Sequence, residues 1–162
     1  MEALSLDELK NFDLTCESAG PEHFRVLVAD DGELDRFLTI QQLGKAWPVE
    51  RNLMVECAAD GAEALAKIRR NCYALVVLDW NMPHQNGGDV LRALRADGLR
   101  IPVVVVSGQP REAITLNLET MAATYVNKDE LEPIRFGNAI AVSMQLQEAR
   151  GSVCSDLDRM RA

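Results

Sequence analysis

Residues 76–88 read VVLDWNMPHQNGG, a run of branched apolar residues that stops on a carboxylate, Asp79. Met82-Pro83 follows, and then the pair Gly87-Gly88. A chain that pushes an acid out of a buried strand and surrounds it with shape-controlling residues needs a chemical reason. The neighbouring runs give that strand its setting. FRVLVA (24–29), LMVECAA (53–59), YALVVL (73–78), PVVVV (102–106) and the short TYVN (124–127) all read as strands, several apolar enough to be buried on both faces.

Helical stretches alternate with these strands. ELDRFLTIQQLGK (33–45) sets Leu34, Phe37, Leu38 and Gln41 on one face, widened by Ile40 and Leu43. AEALAKIRR (62–70) is made of strong helix formers, and GDVLRALRAD (88–97) carries Val90, Leu91 and Leu94 before Gly98 ends it. REAITLNLETMA (111–122) reads as a helix beginning after Pro110, and a long last helix starts near Pro133 and extends past Arg150. Five strands alternating with five helices predict an α/β fold: a parallel sheet, doubly wound, with helices on both faces.

In such a sheet the ligand site lies at the carboxyl ends of the strands. The first strand ends in Asp30-Asp31, the third in Asp79, the fourth in Ser107 and the fifth in Lys128. Asp60, after the second strand, reads instead as a helix cap. Each residue alone has an ordinary structural explanation, as a cap, a turn hydroxyl or a solvated charge. Their arrival on one rim does not. Three clustered carboxylates repel one another, so the site must raise a pKa or hold a cation. An all-oxygen donor set with open positions suits Mg²⁺, and a lysine and a hydroxyl beside it can grip phosphoryl oxygens.

From about Phe24 to about Gln147 the chain resembles the CheY-like receiver domains of two-component response regulators. DWNMPHQNG follows that family's D-x-x-M-P-x-x-x-G pattern, with the acidic pair, Ser107 and Lys128 in matching order. The resemblance implies a flavodoxin-like sheet in strand order 2-1-3-4-5. It implies Asp79 as the phosphoacceptor, supplied by a sensor histidine kinase or a histidine phosphotransfer protein. Mg²⁺ would be held by Asp31, Asp79 and the backbone carbonyl of Asn81, with Asp30 acting through water. Lys128 would neutralise the phosphoryl oxygens. Ser107 would move to bond the new group, and Tyr125 would follow inward; an aromatic half-buried on a strand edge is the equally good structural account of Tyr125. Gly87 and Gly88 let the loop after Asp79 fold back, and Met82-Pro83 shapes it so that the acid stays accessible. Trp80 shields the site edge or offers contact surface, and His84 reads as a solvated loop residue.

Two positions depart from the family pattern. Asp129 stands where receivers usually have proline, so the Lys128–Asp129 bond is expected to be trans. MAATYV also lacks the glycine common before the fifth strand.

The remaining features bound the function. The 162 residues suit one domain with extensions: residues 1–23 as an N-terminal extension, partly helical or flexible, 24–147 as the receiver, and 148–162 as a helical extension or linker. A formal charge of −8 leaves no basic stripe for nucleic acid. No apolar run is long enough to span a bilayer, so no membrane contact is expected. Cys16, Cys57, Cys72 and Cys154 lack regular spacing and read as reduced thiols in a cytoplasmic protein. The internal KDEL at 128–131 is not a retrieval signal.

Three classes of function fit an acid at a strand end: a self-phosphorylating signalling receiver, an aspartyl phosphatase, and a phosphorylation-independent binding or dimerisation module. A dehalogenase-type phosphatase wants a second acid at Asn81, and degenerate receivers lose one of the residues kept here. The first class is therefore preferred, and the chain is not read as an enzyme in the usual sense. A downstream protein partner is implied, and the chain reads either as stand-alone or as the N-terminal part of a longer regulator. Val142, Leu146, Ala149, Val153, Leu157 and Met160 recur at a mean step of about 3.6 residues. The first of them are expected on the sheet. The later ones either fray or pair with a second copy or a partner helix when Asp79 is phosphorylated.

Overall fold

The computed structural model describes residues 23–47 and 52–161, with side chains over 24–47 and 53–148. Five strands, β1 (His23–Ala29), β2 (Asn52–Ala58), β3 (Leu75–Asp79), β4 (Val103–Ser107) and β5 (Ala123–Asn127), form one parallel sheet in the order β2-β1-β3-β4-β5. The helices are α1 (Glu33–Ala46), α2 (Gly61–Arg70), α3 (Gly87–Ala96) and α4 (Pro133–Arg161). This is the doubly wound fold read from the sequence. Asp79 and Ser107 prove to be the last residues of their strands.

The valine-rich strands alternate their side chains between two cores, as the pleat requires. Leu27, Val76, Leu78, Val103 and Val105 face α2 and α3, where Ile68, Val90, Leu91 and Leu94 meet them. Val26, Val28, Leu75, Val77, Val104 and Val106 face α1 and α4, against Leu43, Phe136, Ile140 and Met144. All five residues of β3 and all five of β4 are buried. Covering both faces of the central strands is what forces every polar group to the strand ends, since a buried strand cannot host an unpaired polar side chain cheaply.

Four expectations fail here. In α1 it is Thr39 and Leu43, flanked by Ile40 and Ala46, that turn inward, while Leu34, Phe37 and Leu38 are exposed. This helix is apolar on more than one side, so its periodicity offers two stripes, and packing beside α4 selects one. Residues 111–122 are not an α-helix. A single 3₁₀ turn, Arg111–Ala113, is followed by irregular chain that drops Ile114 and Leu118 into the core. Asn117 Oδ1 accepts the amides of Glu119 at 3.1 Å and Thr120 at 3.4 Å, a local alternative to helical bonding. That segment closes with Ala123 N–H donating to Leu118 O and Ala122 N–H to Glu119 O, which puts Ala122 at φ 51°, the left-handed position where a glycine is usual.

The third failure concerns α4, whose sheet-facing stripe is Phe136, Ile140, Ser143, Met144 and Gln147, leaving Val142 and Leu146 only half-buried. The later members of the apolar stripe, from Ala149, lie outside the residues whose side chains are described, as does the N-terminal extension. The fourth concerns the cysteines. Cys72 is disulfide-bonded and Cys57 is a free thiol, so the expectation of four reduced thiols does not hold. Pairing needs proximity in space, which spacing along the chain does not report.

Candidate functional site at the carboxyl ends of the strands

β1, β3 and β5 deliver Asp30-Asp31, Asp79 and Lys128 to one rim because each charged residue stands where its apolar run stops. Carboxylate oxygens of Asp30, Asp31 and Asp79 lie within 4.8 Å of one another. Asp30 and Asp79 are buried, at 3% and 5% exposure, whereas Asp31 faces solvent. Asp30 is held from several sides. Its Oδ1 accepts Gly32 N–H at 2.9 Å, its Oδ2 accepts Lys128 Nζ at 2.8 Å, and its backbone carbonyl accepts Arg36 Nη1 at 2.8 Å.

Asp79 is served more thinly. Its Oδ1 takes a long 3.4 Å bond from Asn81 N–H and lies 3.5 Å from Lys128 Nζ. Burial, and after it the negative charge of Asp30, push the Asp79 carboxyl up to about 7, against the opposing pull of Lys128. Burial alone would lower the Lys128 pKa. Its hydrogen bonds to Asp30 and Asp35 and the charges of Asp79 and Asp30 outweigh that and hold it above the ordinary lysine value. The rim thus contains two states in tension: a lysine that keeps its proton, and an acid that resists losing its own.

The loop after Asp79 folds back on itself. Gly87 N–H donates to Trp80 O at 2.9 Å, and a Cβ on Gly87 would stand 2.5 Å from the Asp79 carbonyl oxygen. Glycine is needed there by close approach. Asn86 then caps α3 with a reciprocal capping box to Asp89. Met82 is buried beneath the loop, while Asn81, Pro83 and His84 are exposed. Asp60 caps α2 by accepting Glu63 N–H at 2.7 Å, as expected. Gly61 beside it serves close packing as well: a Cβ there would sit 2.2 Å from Gln85 O of this same loop.

Ser107 is fully buried at the end of β4, with its Oγ accepting Gln109 N–H at 3.1 Å. Tyr125 is half-buried; its hydroxyl donates to Gln109 O and accepts Asn127 Nδ2 at 3.2 Å. Ser107, Gln109, Tyr125 and Asn127 therefore form one hydrogen-bonded group joining the ends of β4 and β5. No peptide bond among the described residues is cis, so Lys128–Asp129 is trans as expected. A 3₁₀ turn, Lys128–Glu130, carries it, with Asn127 Oδ1 accepting Asp129 N–H at 2.9 Å.

Sequence reasoning missed Asp35, Gln109 and Asn127. Asp35 reads as one more acid in the first turn of a helix, where acids are common. Its Oδ2 is in fact 3.0 Å from Lys128 Nζ, 93 residues away along the chain.

The donor set suits a small hard cation: three carboxylates gathered with oxygen donors only, two of them buried and one of these resisting ionisation.

Residues 26–136 match the family model described as the response regulator receiver domain. Over 111 residues the chain is 35% identical to a protein-glutamate methylesterase/protein-glutamine glutaminase of Treponema denticola, covering 66% of this chain and 29% of that protein. It is also 35% identical over 86 residues to the sensor protein EvgS of Escherichia coli K12, covering 51% of this chain and 6% of that one. The chain thus spans less than a third of either curated relative. Among solved structures, a CheY-like receiver domain from Methanospirillum hungatei superposes with a TM-score of 0.62 at 26% identity, over 78% of this chain and 98% of that one.

Proposed function

The chain belongs to the response regulator receiver domain family, and on that premise we propose that it takes a phosphoryl group onto Asp79 in a Mg²⁺-dependent phosphorelay. The observation that carries this reading is the approach of Lys128 Nζ to Asp79 within a cluster of three carboxylates. The donor is a phosphohistidine of a sensor kinase or a phosphotransfer protein. A carboxylate oxygen of Asp79 attacks phosphorus, the phosphorus–nitrogen bond breaks, and the imidazole leaves with the electron pair and takes up a proton.

Asp30, Asp31, Asp79 and the carbonyl of Asn81 would hold Mg²⁺, which when bound supplies positive charge to the carboxylates and to the phosphoryl oxygens. Asp79 must be ionised to attack, and its raised pKa makes neutralising charge nearby the condition for that. Lys128 remains protonated and meets the new phosphoryl oxygens. Ser107, which ends the strand next to β3, would move to donate its hydroxyl to them. Turning Ser107 toward the phosphoryl group would draw its Oγ off the Gln109 N–H that it accepts, and Gln109 is what Tyr125 holds, so we read the group at the ends of β4 and β5 as the switch.

The chain is thus a signalling module that catalyses only its own phosphorylation and dephosphorylation. On this proposal its units are 1–23, the receiver 24–147 and the extension 148–162; it works in the cytoplasm and binds a downstream protein, and the extension either frays or pairs with a second copy or a partner helix when Asp79 is phosphorylated. No described helix is long and apolar enough to cross a membrane.

The test is intact-mass measurement after treatment with acetyl phosphate. The expected result is one phosphoryl group per chain in Mg²⁺, none in EDTA and none for Asp79→Asn. Full labelling of Asp79→Asn overturns the assignment.

A further inference from the structure

An ammonium group has three hydrogens to donate. Those of Lys128 face Asp30 Oδ2 at 2.8 Å, Asp35 Oδ2 at 3.0 Å and Asp79 Oδ1 at 3.5 Å. Charge-assisted N–H···O bonds run at about 2.7–2.9 Å. The lysine is therefore bonded to Asp30 at the end of β1 and Asp35 in the first turn of α1, and stands off the acid that reacts. The two restraining acids differ. Asp30 belongs to the three-acid cluster and its side chain is 4% exposed, so it is fixed in place. Asp35 lies outside that cluster, its side chain is 53% exposed, and it can release Lys128 into solvent-facing space without burying a charge.

We propose that Asp35 is a positioning residue that draws Lys128 away from Asp79 in the unphosphorylated domain and competes with the phosphoryl group for it. The proposal rests on the reading of Asp79 as phosphoacceptor. When Asp79 displaces acetate from acetyl phosphate, a carbonyl-phosphate bond forms, the phosphorus–oxygen bond to acetate breaks, and acetate leaves with the electron pair. The phosphoryl oxygens then need the third hydrogen of Lys128 at full bonding distance. Asp35 opposes that movement, so it slows phosphorylation and weakens the phosphorylated state.

Four variants decide it: Asp35→Asn, Asp35→Ala, Asp35→Glu and, as a charge control, Glu33→Gln, an exposed acid in the same helical turn. Each is measured for its rate of labelling by acetyl phosphate in Mg²⁺ and for its affinity for beryllofluoride, with melting temperature alongside. Asp35→Asn and Asp35→Ala should raise both the rate and the affinity about two- to fivefold, the factor carried by a half-exposed ion pair. Asp35→Glu should restore values near wild type, and Glu33→Gln should leave them unchanged.

Equal values for Asp35→Asn and wild type overturn the proposal alone, provided the wild-type chain is labelled. So does a matching gain in Glu33→Gln, which would make the effect one of general charge. A slower Asp35→Asn would show that Asp35 aligns Lys128 for the reaction, and this too overturns it. A wild-type chain that takes no label overturns the receiver reading, and the proposal with it.

Discussion

Replacing Asp79 with asparagine should stabilise the protein, and the gain should depend on pH. Burial and Asp30 raise this carboxyl from 3.8 to about 7, roughly three pH units. At about 1.36 kcal/mol per unit, the folded state loses about 4 kcal/mol when Asp79 ionises, relative to the same event in the unfolded chain. The sign follows from the direction of the shift. A raised acid contributes stability that is fully present below pH 3.8 and is lost as pH rises through about 7. Asparagine has the same shape and no charge to bury, so it should match wild type near pH 4 and exceed it at pH 8. That shift is already net of the pull of Lys128, and a gain of about 2–4 kcal/mol is the working figure, equivalent to about 5–15 °C for a domain of this size. Thermal melts by circular dichroism at pH 5, 6, 7, 8 and 9 in EDTA measure it. Millimolar Mg²⁺ should narrow the gap at pH 8, because the cation favours the ionised wild-type cluster over the variant. Equal melting temperatures at pH 8 in EDTA, or a gap that widens as pH falls, would refute the reasoning.

Further consequences follow from single contacts. Arg95 donates to Met121 O at 2.7 Å, Leu99 O at 2.9 Å and Ile101 O at 3.0 Å, tying the end of α3 to the irregular segment before β5. Arg95→Leu strands these half-buried carbonyls and should cost about 1–3 kcal/mol in urea unfolding, since groups withdrawn from water and left unpaired are expensive. Gly87→Ala brings a methyl onto the Asp79 carbonyl and should lower stability by about 1–3 kcal/mol while slowing labelling of Asp79, read by melting and by intact mass. The Tyr73 phenol, raised to about 12 by burial and then by its bond to Glu56, should ionise about two pH units later than a free tyrosine in ultraviolet titration. Tyr73→Phe should remove that late phase.

The strand ends were readable because apolar runs and their interruptions are local facts. A stretch such as VVLD or VVVVS states both that it is buried and where burial stops. Asp30, Asp31, Asp79, Ser107 and Lys128 needed no more than that and the rule that parallel sheets collect ligands at one edge. The Lys128–Asp129 bond and the Asp60 cap were readable for the same reason, being settled within a few residues. The segment 111–122 was not. Its composition favours a helix, yet Asn117 bonds its own neighbours, and Arg95 and Gln147 draw the Ala122 carbonyl toward α3 and α4.

What the sequence determined by itself is therefore the order of elements and the chemical groups on the rim, because both are written in short runs whose burial is all or none. Tertiary structure alone decided which side of α1 turns inward, whether residues 111–122 close as a turn, which cysteine is paired, and which acids hold Lys128. Those outcomes depend on neighbours tens of residues away. Asp35 has an unremarkable place in the chain, and only the fold, which brings the first turn of α1 beside the residue that follows β5, gives it a lysine to restrain.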